Sequence, residues 1–444
     1  MTGNAVRRRL SVLTSVVTVL SGLTLAGPPA ARAAATPPPE CPPTVHCTFV
    51  AAAYQRNDPA DNTDWGNYDL ANRPADGMAV DTIVIHDTEG SLQQTVAAFQ
   101  DPTYHVSAHY VIDTDGTIVQ MVRTRNIAWH AGNYSINMHS IGVEHVGHAT
   151  SGIVEYTPAM YDASAKLVRW LARRFGVPLD RQHIIGHDNV PSADGTNVPP
   201  MHMDPGPFWN WQAYMWRLGA PVLPGLGTKL VTVAPIWPLN KQPVTGCFPD
   251  EPTQCVNTSR EPTGIVYLRT APGRSAPLLT DPVLGQGTTD IGNIAAKAYV
   301  GQRFAVAGYR YGTDGLRVQI WYGGQLGWLF SPWTAPTVFP AAGTYLTPRA
   351  GLASIAVYGR PYPEASAYPA GFTGAPAVVP RPDRIAAGQR YSVAAGSVPT
   401  DYYHTPTFNA PADYVVVRGT DEYVRIQFNG REAFVRTADA VLSD

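Results

Sequence analysis

The sequence predicts a mixed α/β domain, a β-sheet flanked by helices, followed by two small β-barrel modules. Three observations predict it. Short β-type runs alternate with helically spaced segments between Thr82 and Leu218, the pattern of a sheet covered by helices. Helical periodicity then stops after Pro224, and short β runs divided by Gly and Pro take over. That remainder carries a weak internal repeat. At 444 residues the chain is too long for one ordinary core.

The first element is an export signal. Arg7, Arg8 and Arg9 precede an apolar run over 10–25, and Ala31-Arg32-Ala33 fits a small-residue cleavage site. The run is shorter than the roughly 20 apolar residues that a membrane span needs. Residues 1–34 are therefore expected to be removed, leaving a secreted, cell-wall-associated protein with no membrane span. Their loss takes four arginines and no acids, so the balance becomes 28 basic minus 34 acidic residues, or −6. That argues against nucleic acid as the main partner. Residues 35–47 read as a Pro-rich linker. Cys41 with Cys47 and Cys247 with Cys255 are expected to form two local disulfides in an oxidising compartment.

Residues 48–224 form the expected α/β domain. Its strands are predicted at 82–86, 108–112, 117–122, 140–146 and 183–185, with Asp115-Gly116 as a hairpin turn. The clearest helix spans 158–175. Thr157 caps it, Pro158 suits its first position, and Gly176 suits its end. Met160, Ala163, Leu167, Val168, Leu171 and Phe175 give it one apolar face. Further helices are expected at 92–100 and 208–218.

Residues 225–260 read as a linker with a local disulfide, and the β modules as 261–335 and 345–444. Gly301-Gln302-Arg303-Phe304 is echoed by Gly388-Gln389-Arg390-Tyr391, and Val318-Gln319-Ile320-Trp321-Tyr322 by Val424-Arg425-Ile426-Gln427-Phe428. Together with Tyr267-Leu268-Arg269, these modules resemble bacterial SH3-like cell-wall modules. Tyr267, Trp321, Trp328 and Phe434 suggest small aromatic-rich barrels able to hold cell-wall polymer.

Ten of the twelve histidines lie between residues 86 and 202. A lone histidine is usually structural, so context must choose among them. His86 ends the run Ile83-Val84-Ile85, and His187 ends Ile184-Ile185-Gly186. Asp204 follows in Met203-Asp204-Pro205. Two histidines at strand ends and one carboxylate make the three-ligand set of a catalytic zinc site. Glu144 ends the apolar strand Ile141-Gly142-Val143, where an ionisable group must work or be paired.

These segments carry a resemblance to the zinc-dependent N-acetylmuramoyl-L-alanine amidases of the amidase-2 type, whose fold is shared by peptidoglycan recognition proteins. Added matches are Ser107-Ala108-His109-Tyr110 and Ala128-Trp129-His130-Ala131-Gly132. The resemblance covers about residues 80–218. It implies Zn2+ on His86, His187 and Asp204, with Glu144 as the catalytic carboxylate. Several relatives carry a lysine two residues before the aspartate, and this chain has His202 there. Imidazolium could steady the oxyanion, or the ring could ligate zinc or cap the loop. His130, Trp129 and Asn133, on a Gly-containing loop, are expected to bind substrate. The implied partner is peptidoglycan, cut by a monomer. Two other readings compete: recognition of peptidoglycan without cutting, and a zinc peptidase acting within the stem peptide. The complete ligand set with Glu144 favours the amidase, and no His-Glu-x-x-His helix is present to support the peptidase.

Overall fold

The computed structural model describes residues 37–193, 202–248 and 251–444. The expected signal at 1–34 lies outside them. Among the described residues no helix is long and apolar enough to cross a membrane.

The N-terminal half is built on a six-stranded sheet. Its strands are β1 (Cys47–Phe49), β2 (Thr82–Ile85), β3 (Tyr110–Ile112), β4 (Ile118–Gln120), β5 (Ser140–His145) and β6 (Ile184–Gly186), in the order β1-β4-β3-β5-β2-β6. Only the β3–β4 hairpin is antiparallel. Among the described residues four helices accompany the sheet: α1 (Leu92–Gln100), α2 (Tyr134–His139), α3 (Pro158–Phe175) and α4 (Trp211–Leu218). In α3, Thr157 caps the start by accepting from Met160 N, and Gly176 ends the helix at φ +75°. The helix α4 begins three residues later than its periodicity suggests, because Asn210 caps it by accepting from Ala213 N.

Alternation along β2 divides the core. Ile83 and Ile85 join Ile141, Val143, Met160, Leu167, Trp211 and Tyr214 on one face. Val84 points the other way, with Ile185 and Ile136, and there meets Tyr358, Tyr423 and Phe434 from the C-terminal region. Both faces of the parallel strands are thus covered, as their unbroken apolar runs require.

The described residues of the segment expected as a linker at 225–260 include strands. Leu230–Val233 is a strand inside a five-stranded sheet, paired with Arg303–Tyr311 on one side and Val338–Ala341 on the other. Leu230, Val231 and Val233 are buried, so this short β-branched run is core. A hairpin follows, Val244–Phe248 with Glu251–Thr258, in which Cys247 pairs with Cys255 and the two are disulfide-bonded. Cys41 and Cys47 form the other disulfide. Of the 35–47 stretch, the part around Glu40 is also docked rather than loose. Glu40 accepts from Gln120 Nε2 at 2.8 Å, Thr124 N at 2.8 Å and Arg174 Nη2 at 2.8 Å.

A seven-stranded sheet occupies 345–443. Its long antiparallel pair, Tyr391–His404 and Val415–Gln427, reaches onto the α/β half. Tyr403 OH donates to Leu70 O at 2.7 Å, and Arg425 Nη1 donates to Thr82 Oγ1 at 2.8 Å. Tyr267 and Phe434, both in the β-rich region after Pro224, are buried core residues, 4% and 2% exposed.

One docking contact has a pH signature. His139 Nε2, at the end of α2, lies 2.6 Å from Asp401 Oδ1. Burial alone would lower the His139 pKa. The Asp401 carboxylate, helped by Asp81 and the Ala79 carbonyl, reverses this and holds it at about 9. An unfolded histidine titrates near about 6.5. The folded pKa is raised, so the pair contributes fully below about pH 6.5 and is lost as pH climbs through 9. Asp401→Asn should therefore melt several degrees below the unaltered chain at pH 6. The two melting curves should converge near about pH 10, and a gap that does not narrow with pH would remove the pair from the docking energetics.

Candidate metal centre

The register of three parallel strands builds the site. Ile85 of β2 pairs with Val143 of β5 and with Gly186 of β6. The next residues along each strand are His86, Glu144 and His187, which therefore stand abreast at the carboxyl ends of neighbouring strands. Ligands of open α/β sheets bind at this edge. His86 N donates to Val143 O at 2.9 Å, fixing the level of the histidine against β5. Asp204 arrives from the loop before α4 and is tied in through its carbonyl, which accepts from Asp188 N at 2.8 Å.

His86, His187 and Asp204 are buried, and one ligand atom from each lies within 4.8 Å of the others. His86 Nδ1 is 3.0 Å from Asp204 Oδ2, and His187 Nδ1 is 3.1 Å from Asp204 Oδ1. Donor atoms around a tetrahedral zinc with bonds of about 2.0–2.1 Å sit about 3.3 Å apart. The set is close to that spacing.

Proton placement strengthens the fit. Ser140 Oγ lies 2.6 Å from Ile136 O, which can only accept, so the hydroxyl proton is spent there. Ser140 Oγ then accepts from His130 Nε2 at 3.1 Å. His130 Nδ1 is left as an acceptor, taking a hydrogen bond from His86 Nε2 at 3.0 Å. Burial pushes the His86 pKa down to about 4, despite the raising effect of Asp204, so the ring is neutral near pH 7 and carries one proton. That proton is on Nε2. The Nδ1 lone pair therefore faces the Asp204 carboxylate at 3.0 Å. Two electron-rich atoms at this distance need a cation between them. Asp204 Oδ1 and both ring nitrogens of His187 have no hydrogen-bond partner among the described residues, which is the same demand seen from the other ligands. Although burial opposes it, His187 and His86 hold the Asp204 carboxyl well below its usual pKa, so it is ionised.

Glu144 lines the cleft beside these groups, and its Oε2 has no partner. Burial first, then Asp204 and Glu89, raise its pKa well above the ordinary carboxylate value. Glu89 is raised to about 7, chiefly by burial, although its Oε1 accepts from Ala149 N. Asp87 is raised as well, by burial and by Glu89, and accepts from Tyr156 OH. Sequence reasoning did not single out Asp87 or Glu89. The signal was present in His86-Asp87-Thr88-Glu89, two acids beside a candidate ligand histidine.

The remaining expected residues fall in two groups. His202 and Trp129 line the cleft. The half-exposed His202 ring stacks on His187 at 5.2 Å, with Nδ1 3.7 Å from Asp204 Oδ1. Trp129 Nε1 donates to Asp69 Oδ2 at 3.0 Å, and its ring stacks with His105. His130 and Asn133 touch the cleft, but their polar atoms are spent inside the protein. His130 orients His86, as above. Gly142 of β5 leaves room for that ring, because a Cβ there would lie 2.5 Å from His130 Cγ. Asn133 Nδ2 donates to Pro191 O and Gly359 O, each at 2.9 Å, and its Oδ1 caps α2. The expected substrate contact at Asn133 is thus replaced by an anchor for the C-terminal region.

The cleft has a volume of about 1200 Å³. Its wall also includes Arg360 and residues 402–406, from the seven-stranded sheet region.

Against known proteins, the family described as N-acetylmuramoyl-L-alanine amidase, of the amidase-2 type, matches residues 76–207. The chain is similar to N-acetylmuramoyl-L-alanine amidase A of Achromobacter lyticus, 31% identical over 167 residues, covering 34% of this chain and 89% of that protein. It is also similar to 1,6-anhydro-N-acetylmuramyl-L-alanine amidase AmpD of Salmonella typhimurium, 36% identical over 115 residues, covering 24% of this chain and 55% of that protein. A selenomethionine AmpD derivative of known structure matches at 26% identity with a TM-score of 0.28, covering 39% of this chain and 94% of that one.

Removing any one donor leaves two, too few to hold an ion tightly. His86→Ala, His187→Ala and Asp204→Ala should each lose stoichiometric metal, read by elemental analysis of the purified protein. Full metal content in any two of them would rule this set out. Ser140→Ala should keep the metal but bind it roughly 10–100-fold more weakly, because the chain that orients His86 is cut.

Proposed function

The chain belongs to the N-acetylmuramoyl-L-alanine amidase family, and on that premise we propose that it hydrolyses the amide between the lactyl group of N-acetylmuramic acid and L-alanine in peptidoglycan, with zinc held by His86, His187 and Asp204. The observation that carries the reading is the His86 Nδ1 lone pair turned onto the Asp204 carboxylate, an arrangement that a bound cation stabilises. Zinc there supplies a Lewis acid for the amide carbonyl and lowers the pKa of water toward about 7.

The protein's own groups do the rest. Glu144 stands one strand from His86, with a carboxyl oxygen free to face the reacting centre. It takes a proton from the attacking water and passes it to the departing L-alanine nitrogen. Burial and neighbouring carboxylates favour its protonated form, which suits the second half of that transfer. The His202 ring lies at the exposed side of His187, where an imidazolium would steady the charge on the carbonyl oxygen. Trp129 offers an aromatic face to the sugar or the peptide.

Export and cell-wall association are supported by the N-terminal signal pattern and by the two disulfides. We read the β-rich regions after Pro224 as SH3-like modules on the strength of their internal repeat. The protein is taken to act as a monomer.

Digestion of purified peptidoglycan followed by mass spectrometry tests the bond. Free lactyl groups together with new L-alanine N-termini are expected. New termini at other stem positions would instead identify a peptidase, and binding without release would identify a recognition protein. Glu144→Gln should retain metal and lose about 10²–10⁴-fold in turnover. Near-normal turnover in that variant would leave Glu144 a structural role only.

A further inference from the structure

The cleft is larger than the reaction at one amide requires. Ligand sites are usually about 300–1,000 Å³, and this one is about 1200 Å³. The candidate metal ligands contribute one part of its wall. Another part comes from a stretch of the chain that lies outside the 76–207 family match. Arg360, Tyr402 and His404 line the cleft from the C-terminal region.

The charge balance of the walls is uneven. Asp64, Asp69, Asp87, Glu89, Glu144 and Asp204 all line the cleft. Arg360 is the one arginine or lysine lining it among the described residues. Its guanidinium lies over the Tyr362 ring, 5.8 Å from the centroid, and makes no ion pair with an acidic side chain among the described residues. An arginine that faces a largely acidic cleft without a carboxylate partner is one whose partner comes from outside.

The support beneath it is rigid. Gly359 O, the preceding carbonyl, accepts from Asn133 Nδ2 at 2.9 Å. A Cβ on Gly359 would lie 2.0 Å from Ser192 O, so only glycine allows this approach to the α/β half. Tyr362 packs edge-on to Tyr402 at 5.3 Å, and Tyr402 packs edge-on to Tyr134 of α2 at 6.0 Å. The guanidinium is therefore held at a set place relative to the strand ends that carry His86 and Glu144.

We propose that the C-terminal region supplies a substrate subsite of the cleft, in which Arg360, supported by Tyr362 and Tyr402, binds a carboxylate of the peptidoglycan stem peptide. This rests on the amidase reading above. The scissile amide lies at the candidate metal ligands, and the peptide that follows L-alanine runs along the cleft toward the arginine. A planar guanidinium suits a carboxylate by two parallel hydrogen bonds. Tyr402 and His404 offer apolar faces to the intervening peptide. Arg360 thereby becomes a specificity residue that selects stem peptides bearing a free acid.

The test compares two soluble muropeptides, one with free stem carboxylates and one with those groups amidated, on the unaltered full chain and on Arg360→Gln. A charge-assisted hydrogen bond contributes about 1.5–3 kcal/mol, roughly a 10–150-fold effect. The unaltered chain should prefer the free acid in kcat/KM, and Arg360→Gln should reduce that preference at least tenfold, mainly through KM. Arg360→Lys should restore part of it, since charge remains but the bidentate geometry does not. Thermal melting of each variant reports whether the fold is kept. If the unaltered chain cleaves both substrates and Arg360→Gln leaves the preference unchanged, the subsite is refuted while the amidase stands. If the unaltered folded, metal-loaded chain cleaves neither, the amidase reading fails and the subsite falls with it.

Discussion

The parallel register of β5, β2 and β6 is the constraint on which the rest depends. Residues 143, 85 and 186 are paired across three strands, so the residues that follow them emerge side by side. A shift of one position in either pairing would turn a side chain to the opposite face. It would also take Ile83, Ile85, Ile141 and Val143 out of the core against α3. The apolar packing and the metal donors are thus specified by the same register. Burial of the core determines where His86 stands, and the energy that holds the strands also positions the site.

The site itself is a local violation of that economy. Four carboxylates and several neutral imidazoles are gathered at one sheet edge. Asp87, Glu89 and Glu144 are all pushed up in pKa, with burial as the largest cause in each. Burying such groups is costly unless charge is compensated. The chain Ser140, His130, His86 shows how the protein directs the demand: a backbone carbonyl at one end determines the tautomer at the other, and the surplus negative character is delivered to one point. Buried polar groups without partners cluster there, at His187, Asp204 and Glu144. A cation at that point would relieve these unfavourable electrostatics, and metal binding would then be linked to local stability there.

Much of this was legible in the sequence, for identifiable reasons. The helix at Pro158–Phe175 follows its cap, its proline and its glycine to the residue. The His-ending apolar runs marked strand ends because only a working or paired polar group belongs there. The residues misread were those whose meaning depends on distant partners. Asn133 looked like a sugar-binding side chain on a glycine-containing loop. Its actual partners include Gly359 O, 226 positions away. His130 looked the same, and is spent on His86 and Ser140. Leu230–Val233 was too short to stand out beside the glycines and prolines around it, yet it lies inside a sheet whose other members begin at Arg303. Composition tells that such groups are polar or apolar. It does not tell which long-range neighbour will use them.

The C-terminal region shows where that limit matters for function. A tethered wall-binding module would keep its own core and touch the enzyme lightly. Here Tyr358, Tyr423 and Phe434 cover Val84, Ile136 and Ile185, and Tyr362 and Tyr403 share a cluster with Met78, Ile127 and Met138. Without them, one face of the parallel strands β2 and β6 would meet water, which strands apolar on both faces do not tolerate. The same contacts bring Arg360 and Tyr402 to the cleft. Since Tyr358, Tyr362 and Tyr403 of the docking set lie on the same two segments as the cleft residues, around 358–362 and 402–406, the wall cannot loosen without disturbing the core. The β-rich half is therefore part of the catalytic body. Whatever it contributes to holding polymer is exerted at the wall of the cleft that holds the candidate metal ligands.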